Sequence, residues 1–186
     1  MGETSKVLKI RNRDHVSRRN FGGVTSRKRG ESNFLRKFET AFFASEKKGI
    51  ALDEFSVSQH GIADLLWLGW EMPDGKEFSA LALKAQLKRR HLYAFEGKLT
   101  NWQKALSQAY RYRYYADKAI VVMPAENVGP AFKNLTAFEE AKVGLWSFDS
   151  LSGKIQKLYT PVKVRALSAK SRDKAIEKLA SKLKLS

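Results

Sequence analysis

Two acidic residues and a lysine occupy positions in the sequence where charge is unexpected. The segment HLYAFEGKL (91–99) has the composition of a buried strand, yet it contains Glu96 and Lys98, which alternate onto the same face. Asp64 interrupts a second apolar strand, IADLLWL (62–68), in the same way. Burying a charge is costly unless the charge is paired or binds something. These three residues are therefore the first candidates for a functional site.

Hydrolysis of a phosphodiester bond is the chemistry that such a set suits best. At neutral pH this reaction needs a divalent cation that activates water and offsets the charge developing on phosphorus. Carboxylate oxygens are the ligands that Mg²⁺ prefers, with Mn²⁺ as an alternative ion, and a lysine beside them can orient or deprotonate the attacking water. The sequence thus predicts Asp64 and Glu96 as metal ligands and Lys98 as the residue that serves the water.

Other chemistries have fewer residues to support them. The chain has no cysteine, which excludes disulfides, thiolate metal sites and cysteine nucleophiles. The histidines His15, His60 and His91 are unclustered, and the sequence has no glycine-rich loop of the kind that cradles phosphates. Hydrolysis of a nucleoside triphosphate and a histidine-ligated metal centre are therefore both disfavoured.

The acid-x-Lys motif is short, and it recurs at Glu46, Asp74 and Glu140. Those three acids fall at predicted helix ends or in a polar turn, where a solvated charge needs no ligand. Glu96 differs from them because it lies inside an apolar strand. The alternative for Glu96 and Lys98 is a purely structural ion pair at the edge of the sheet.

Hydrophobic periodicity predicts the elements that would position these residues. Apolar residues at helical spacing indicate helices at 32–48, 101–115, 128–141 and 169–184. Apolar runs indicate strands at 52–58, 62–70, 91–99, 118–124 and 143–149. The segment 78–90 fits a helix or a strand, and a helix is the prediction. This order indicates an α/β fold with a mixed central sheet flanked by helices.

The set resembles the signature of the PD-(D/E)XK nuclease superfamily: an aspartate at the edge of one strand, Glu-x-Lys on the next, and then a helix. Asp64, Glu96 and Lys98 match that signature, and the resemblance runs from about residue 34 to residue 148. Ala63 stands where the family often has proline, and the segment 71–91 is then an insertion. The resemblance implies a restriction-endonuclease-like fold and a Mg²⁺-dependent nuclease.

Further site residues follow from the resemblance alone. It implies that the carbonyl of Gly97 joins Asp64 and Glu96 in holding the metal. A glutamate on the preceding helix assists the metal in the family, and Glu39 falls at that position. Relatives add Gln-x-x-x-Tyr on the following helix, which Gln108 and Tyr112 match.

Positive charge is concentrated at the two ends of the chain. The net charge of +16 divides into +7 for residues 1–30, +8 for residues 153–186 and a nearly neutral centre. This distribution favours a polyanionic partner such as DNA, with RNA as an alternative. We predict a disordered basic arm at 1–30, a nuclease core at 31–160 and a basic segment with an amphipathic helix at 161–186. In the arm, Arg18, Arg19 and Lys28 are candidate phosphate contacts.

The segment AYRYRYYAD (109–117) interleaves tyrosines with Arg111 and Arg113. Tyrosine rings can stack on bases and guanidinium groups can bind phosphates, so Tyr112, Arg111 and Arg113 are candidate nucleic-acid contacts. On a helix these side chains point in several directions, and packing or snorkelling of part of the set is the alternative.

The sequence as a whole predicts a cytoplasmic, Mg²⁺-dependent DNA endonuclease without a membrane partner, which could cut as a homodimer. No apolar run of 18 or more residues and no signal-peptide pattern is present. The main alternative is a catalytically inactive nucleic-acid-binding module on the same fold. A third possibility is a basic structural or ribosome-associated protein.

Overall fold

A computed structural model of the chain describes residues 6–10, 26–46, 48–69, 91–162 and 165–182. The described residues form an α/β structure around one sheet of seven strands that follow one another in chain order across the sheet. The strands are β1 (Lys6–Ile10), β2 (Lys48–Ser56), β3 (Ile62–Gly69), β4 (Leu92–Gly97), β5 (Lys118–Pro124), β6 (Gly144–Phe148) and β7 (Ile155–Tyr159). The pairs β1–β2, β4–β5 and β5–β6 are parallel and the other three pairs are antiparallel, so the sheet is mixed as predicted.

The helices are α1 (Ser26–Glu46), α2 (Trp102–Tyr112), α3 (Gly129–Phe132), α4 (Leu135–Ala141) and α5 (Ala169–Lys182). The order β4–α2–β5 is a parallel crossover, which needs a helix to return the chain to the start of the next strand. Asn101 begins α2 because its side chain accepts a hydrogen bond from the amide of Lys104. The crossover fixes α2 against the two central strands, beside the carboxyl end of β4.

Each face of the sheet has its own apolar core. On one face, α1 packs Phe34, Phe38 and Phe42 against residues of β3 to β6. The ring centroids of Phe42 and Phe95 lie 5.1 Å apart in an edge-to-face arrangement. On the other face, α2, α4 and α5 pack residues such as Ala109, Phe138 and Leu179 against the same strands. The central strands are therefore covered on both faces, as their continuous apolar runs indicate.

The structure corrects several predicted boundaries. The arm predicted to be disordered at 1–30 is wrong for residues 6–10, which form β1, and for residues 26–30, which form the first turns of α1. The predicted helix 128–141 is two short helices, and β7 was not predicted. The helix predicted at 169–184 is confirmed as α5 over residues 169–182, and residues 183–184 lie outside the described residues. The segment 78–90 lies outside the described residues.

None of the helices in the described part of the chain combines the length and the apolar character that crossing a membrane requires.

Candidate active site

The candidate site lies where β3 and β4 separate. Their antiparallel pairing runs from Leu68↔Leu92 to Leu65↔Phe95 and includes neither Asp64 nor Glu96. In place of a ladder hydrogen bond, the Gly97 amide donates to Oδ2 of Asp64 over 2.9 Å. The Asp64 carboxylate is thus held beside the carboxyl end of β4. The two acidic residues predicted from the sequence meet at this position.

Glu96 and Lys98 form an ion pair at the same point. Lys98 Nζ lies 2.9 Å from Oε1 of Glu96, and the Glu96 side chain is only 1% exposed. Lys98 Nζ also lies 3.6 Å from Oε2 of Glu31, which reaches the site from the start of α1. Asp64 also acts on Lys98 electrostatically. Three acidic side chains therefore surround one lysine, and the site carries excess negative charge whenever all of them are ionised.

The Tyr112 hydroxyl links Glu96 to the backbone of β3. It lies 2.5 Å from Oε2 of Glu96 and 2.6 Å from the carbonyl oxygen of Ile62. A phenol has one proton to donate, and the Ile62 carbonyl can only accept. Tyr112 is the donor in both contacts, so its one proton is shared between the Glu96 carboxylate and the Ile62 carbonyl. The Tyr112 hydroxyl therefore fixes the orientation of the Glu96 carboxylate beside β3.

The pKa of each of the two carboxyls is raised above its usual range, chiefly by burial. Burial, followed by the negative charge of Glu96, raises the pKa of Asp64 to about 7. Burial also raises the pKa of Glu96, although Lys98 and the Tyr112 hydroxyl oppose the rise. Two neighbouring carboxylates resist simultaneous ionisation, and a cation between them removes that resistance.

The same surroundings favour the charged form of Lys98. Burial alone lowers the pKa of its ammonium group, but Glu96, Asp64 and Glu31 outweigh burial and the pKa rises. Lys98 is therefore a cation at neutral pH in this arrangement. A cation stabilises negative charge, whereas a general base must first give up its proton. The geometry thus favours an electrostatic role for Lys98 over proton abstraction.

Gly97 is required by the close approach of α1. A Cβ atom at position 97 would lie 2.3 Å from Cδ2 of Leu35, which is far inside van der Waals contact. The space that glycine leaves is thus filled by the helix that also brings Glu31 to the site. The Gly97 carbonyl, implied as a metal ligand by the family resemblance, lies 3.4 Å from Nζ of Lys98.

The structure gives Glu39 a different place from the one predicted. Glu39 pairs with Lys9 of β1, which also lies 3.4 Å from Oδ1 of Asp53. The helical glutamate at the site is Glu31, two turns earlier and about 12 Å away along the axis of α1. The prediction missed Glu31 because the helix was expected to start at residue 32. Helical spacing from Glu31 to Leu35 and Phe38 was the available signal.

Gln108 lies one helical turn before Tyr112 on α2, as the Gln-x-x-x-Tyr spacing requires. Its side-chain Oε1 is buried and has no hydrogen-bond partner among the described residues. Such a group is costly in a finished structure unless water, an ion or a ligand satisfies it. The amide oxygen of Gln108 is therefore available to a bound group.

Two of the predicted nucleic-acid contacts point into the protein. Tyr112 is 1% exposed and belongs to the acidic site, so it cannot stack on a base. Arg113 is also buried, where its Nη1 donates to the carbonyl of Ala141 at the end of α4. Both predictions are wrong because the buried face of α2 and the turn after it carry these residues inward. Arg111 is exposed, and its contact with nucleic acid stays a prediction.

The remaining candidate nucleic-acid contacts lie on the predicted basic arm. Arg18 and Arg19 lie outside the described residues, and Lys28 lies in the first turn of α1 without a described side chain. Among the competing acid-x-Lys motifs, Glu46 pairs with the exposed Lys157 over 3.8 Å, and Glu140 is exposed. Asp74 lies outside the described residues. The two described alternatives have solvated surroundings, unlike Glu96.

The residues of the site fit a magnesium ion with few protein ligands. Within the described residues, no group of three or more His, Asp or Glu side chains is arranged to hold a metal by itself. Mg²⁺ commonly takes only one or two carboxylates and completes its shell with water and substrate phosphate. Asp64, Glu96 and the Gly97 carbonyl form such a partial set, and a cation between the two buried carboxyls would favour their ionised forms.

Comparison with family models, with curated proteins and with solved structures found no match for this chain. The class that the described residues define is therefore the general one, an α/β protein with a mixed open sheet. Any narrower assignment rests on the residues of the site themselves.

The raised pKa of Asp64 gives a pH-dependent expectation for stability. A carboxyl whose pKa rises from 3.8 to about 7 on folding stabilises the fold below about pH 4, and this stabilisation is lost as the pH rises through 7. We expect Asp64→Asn to remove that loss, because asparagine is neutral and its oxygen still accepts from Gly97. In EDTA at pH 8 the variant should be more stable than the unmodified protein by about 1–3 kcal/mol, with a smaller difference at pH 5.

Thermal unfolding at the two pH values measures this effect. Asp173→Asn is the matched control, because Asp173 is exposed on α5 and its replacement should change the melting temperature equally at both. Greater destabilisation of Asp64→Asn at pH 8 than at pH 5 would instead make ionised Asp64 a stabilising partner of Lys98.

Proposed function

We propose that this protein is a metal-dependent nuclease that hydrolyses phosphodiester bonds of DNA on a restriction-endonuclease-like core. The observation that supports it most is the meeting of Asp64 and Glu96 where two central strands separate, with Lys98 beside them. In a buried structural cluster, one lysine facing three carboxylates leaves negative charge unmatched. A site for a divalent cation explains that imbalance.

Each residue then has a defined task. Asp64, Glu96 and the Gly97 carbonyl would hold Mg²⁺ or Mn²⁺, which supplies an activated water and offsets phosphate charge when bound. The Tyr112 hydroxyl, held by the Ile62 carbonyl, orients Glu96 from the side opposite Lys98. Lys98 provides a fixed positive charge for the developing charge on the phosphate oxygens. Glu31 holds Lys98 in place, and Gln108, one turn before Tyr112, has a buried amide oxygen without a partner among the described residues.

Cleavage assays with and without a metal test the proposal. The protein is incubated with supercoiled, linear, single-stranded and branched DNA in Mg²⁺, in Mn²⁺ and in EDTA. Metal-dependent cleavage of at least one substrate is the expected result, and the preferred substrate defines whether the enzyme acts on duplexes, single strands or junctions. No cleavage of any DNA with either ion would overturn the proposed activity.

A nucleic-acid-binding module without activity is the second candidate. The 2.9 Å ion pair between Lys98 and Glu96 favours it, because a lysine that already neutralises a carboxylate can stabilise a strand end without any metal. The two candidates differ in Mg²⁺ binding. A rise in melting temperature with added Mg²⁺ that disappears in Asp64→Asn supports the nuclease.

A further inference from the structure

We propose that the solvent-facing side of α1 binds the phosphodiester backbone of the nucleic acid that enters the candidate site. The inference rests on the proposed nuclease function and adds the surface that carries its substrate. The contacts are ionic and independent of base sequence. They are made by the basic face of α1, which we define as Arg36 and Lys37.

The first support is the separation of charge on α1. Its two acidic residues before position 40 turn toward the protein: Glu31 faces Lys98 and Glu39 faces Lys9, with side chains 19% and 11% exposed. Arg36 and Lys37 are exposed. Both cations of the basic face thus face solvent, whereas both acids are withdrawn. A helix with a merely solvated surface would mix the two signs along it.

The second support is the position of this face relative to the site. The first half of α1 lies against the carboxyl end of β4, since Leu35 contacts Gly97 and Glu31 contacts Lys98. Arg36 and Lys37 follow Glu31 by about 7.5 and 9 Å along the helix axis. Phosphates of one DNA strand advance about 3.4 Å per nucleotide along a duplex. On a duplex that runs along α1, this offset corresponds to about two to three nucleotides from a phosphate bound at Lys98.

The helix α5 shows the opposite arrangement, although the sequence made it an equally good candidate. Its cations Arg172 and Lys178 turn inward, where they contact Asp117 and the Ser56 carbonyl. Its exposed positions alternate in sign, in the order Lys170, Asp173, Lys174, Glu177. The exposed side of α5 therefore has little net charge to offer a polyanion. A polyanion is therefore attracted more strongly to the basic face of α1 than to the exposed side of α5.

Two double variants that each remove two exposed cations test the inference. Arg36→Gln with Lys37→Gln changes the basic face of α1, and Lys170→Gln with Lys174→Gln changes α5 by the same net charge. Binding to a labelled DNA duplex is measured in EDTA, where metal-dependent cleavage does not interfere, over a range of NaCl concentrations. Melting temperatures establish that both double variants remain folded.

The α1 double variant should lower the slope of log affinity against log salt by about 1.8, since each phosphate contact contributes about 0.9. If the curves converge near 1 M salt, this slope change corresponds to about 60-fold weaker binding at 0.1 M. The α5 double variant should keep the slope of the unmodified protein. The same difference on an RNA duplex would also support the inference and would identify backbone charge, rather than the sugar, as what α1 recognises.

Equal slopes for the two double variants would overturn the inference, as would failure of the unmodified protein to bind either DNA or RNA. Failure of this inference can be distinguished from failure of the proposed nuclease activity. If the unmodified protein binds DNA through α1 but never cleaves with Mg²⁺ or Mn²⁺, the surface stands and the catalytic proposal falls. If cleavage is metal-dependent but the slopes are equal, the catalytic site stands and the α1 surface falls.

Discussion

Replacement of Glu96 by glutamine is expected to reduce metal-dependent DNA cleavage by at least about 10³-fold, because it removes one of two carboxylates that would hold the metal. The fold should survive. Glutamine can donate from its amide to the Tyr112 oxygen, and its carbonyl oxygen can accept from Lys98. Lys98 also retains Glu31, 3.6 Å away. The free energy of unfolding in EDTA should therefore change by less than about 1 kcal/mol.

A structural ion pair predicts the reverse pattern. Glu96→Gln would then leave Lys98 with a weaker partner in a partly buried place and destabilise the fold by about 3–5 kcal/mol. Cleavage rate and melting temperature, measured on the same protein, separate the two outcomes. Glu140→Gln is the matched control, because Glu140 belongs to an acid-x-Lys motif of the same composition but is exposed at the end of α4. It should stay within about ±0.5 kcal/mol and keep full activity.

The strands that carry the site could be predicted because their signals are local. The runs that form β3, β4 and β5 are apolar enough to be recognised as buried strands, and alternation then places Glu96 and Lys98 on one side. Asp64 could be paired with them because a charge inside an apolar strand needs an explanation wherever the strand lies. The sequence did not indicate that β3 and β4 would separate at that residue, since separation depends on the Asp64 side chain taking the Gly97 amide.

The parts that were not predicted depend on contacts between distant segments. The strand β1 is short and lies at the edge of the sheet, where parallel pairing with β2 and the Lys9 contacts decide its conformation. The start of α1 lies in a basic segment whose composition is typical of a flexible arm. Contacts of Leu35 with Gly97 and of Glu31 with Lys98 extend the ordered helix into that segment. The site glutamate is Glu31 and not Glu39, because the position of a glutamate along α1, rather than its residue type, decides whether it reaches Lys98.

The inward direction of Arg113 has a similar cause. Helical periodicity treats Arg111 and Arg113 as neighbours on one exposed segment, but α2 ends at Tyr112 and a turn follows. That turn carries Arg113 under Tyr110, with its guanidinium carbon 5.8 Å from the ring centroid, and toward Ala141. A cation that terminates a neighbouring helix is not available to phosphate. Composition alone therefore overestimates the basic surface of this protein.

Lys98 offers the test that distinguishes an electrostatic role from that of a general base. Lys98→Ala should lower the cleavage rate by about 10²- to 10⁴-fold under either role. Lys98→Arg separates them, because arginine keeps the positive charge but cannot give up a proton at neutral pH. The surrounding carboxylates raise the pKa of Lys98, which keeps it charged, so we expect Lys98→Arg to retain activity within about tenfold of the unmodified protein.

Single-turnover cleavage rates in saturating Mg²⁺ measure the difference, and melting temperatures in EDTA show whether the longer side chain fits beside Glu31 and Glu96. Lys104→Arg and Lys104→Ala are the matched controls, because Lys104 is exposed on the first turn of α2 and both changes should leave the rate unaltered. If Lys98→Arg folds normally and is as inactive as Lys98→Ala, positive charge alone does not account for the role of Lys98. That outcome would favour proton transfer by Lys98, or a need for its compact ammonium group, over a purely electrostatic role.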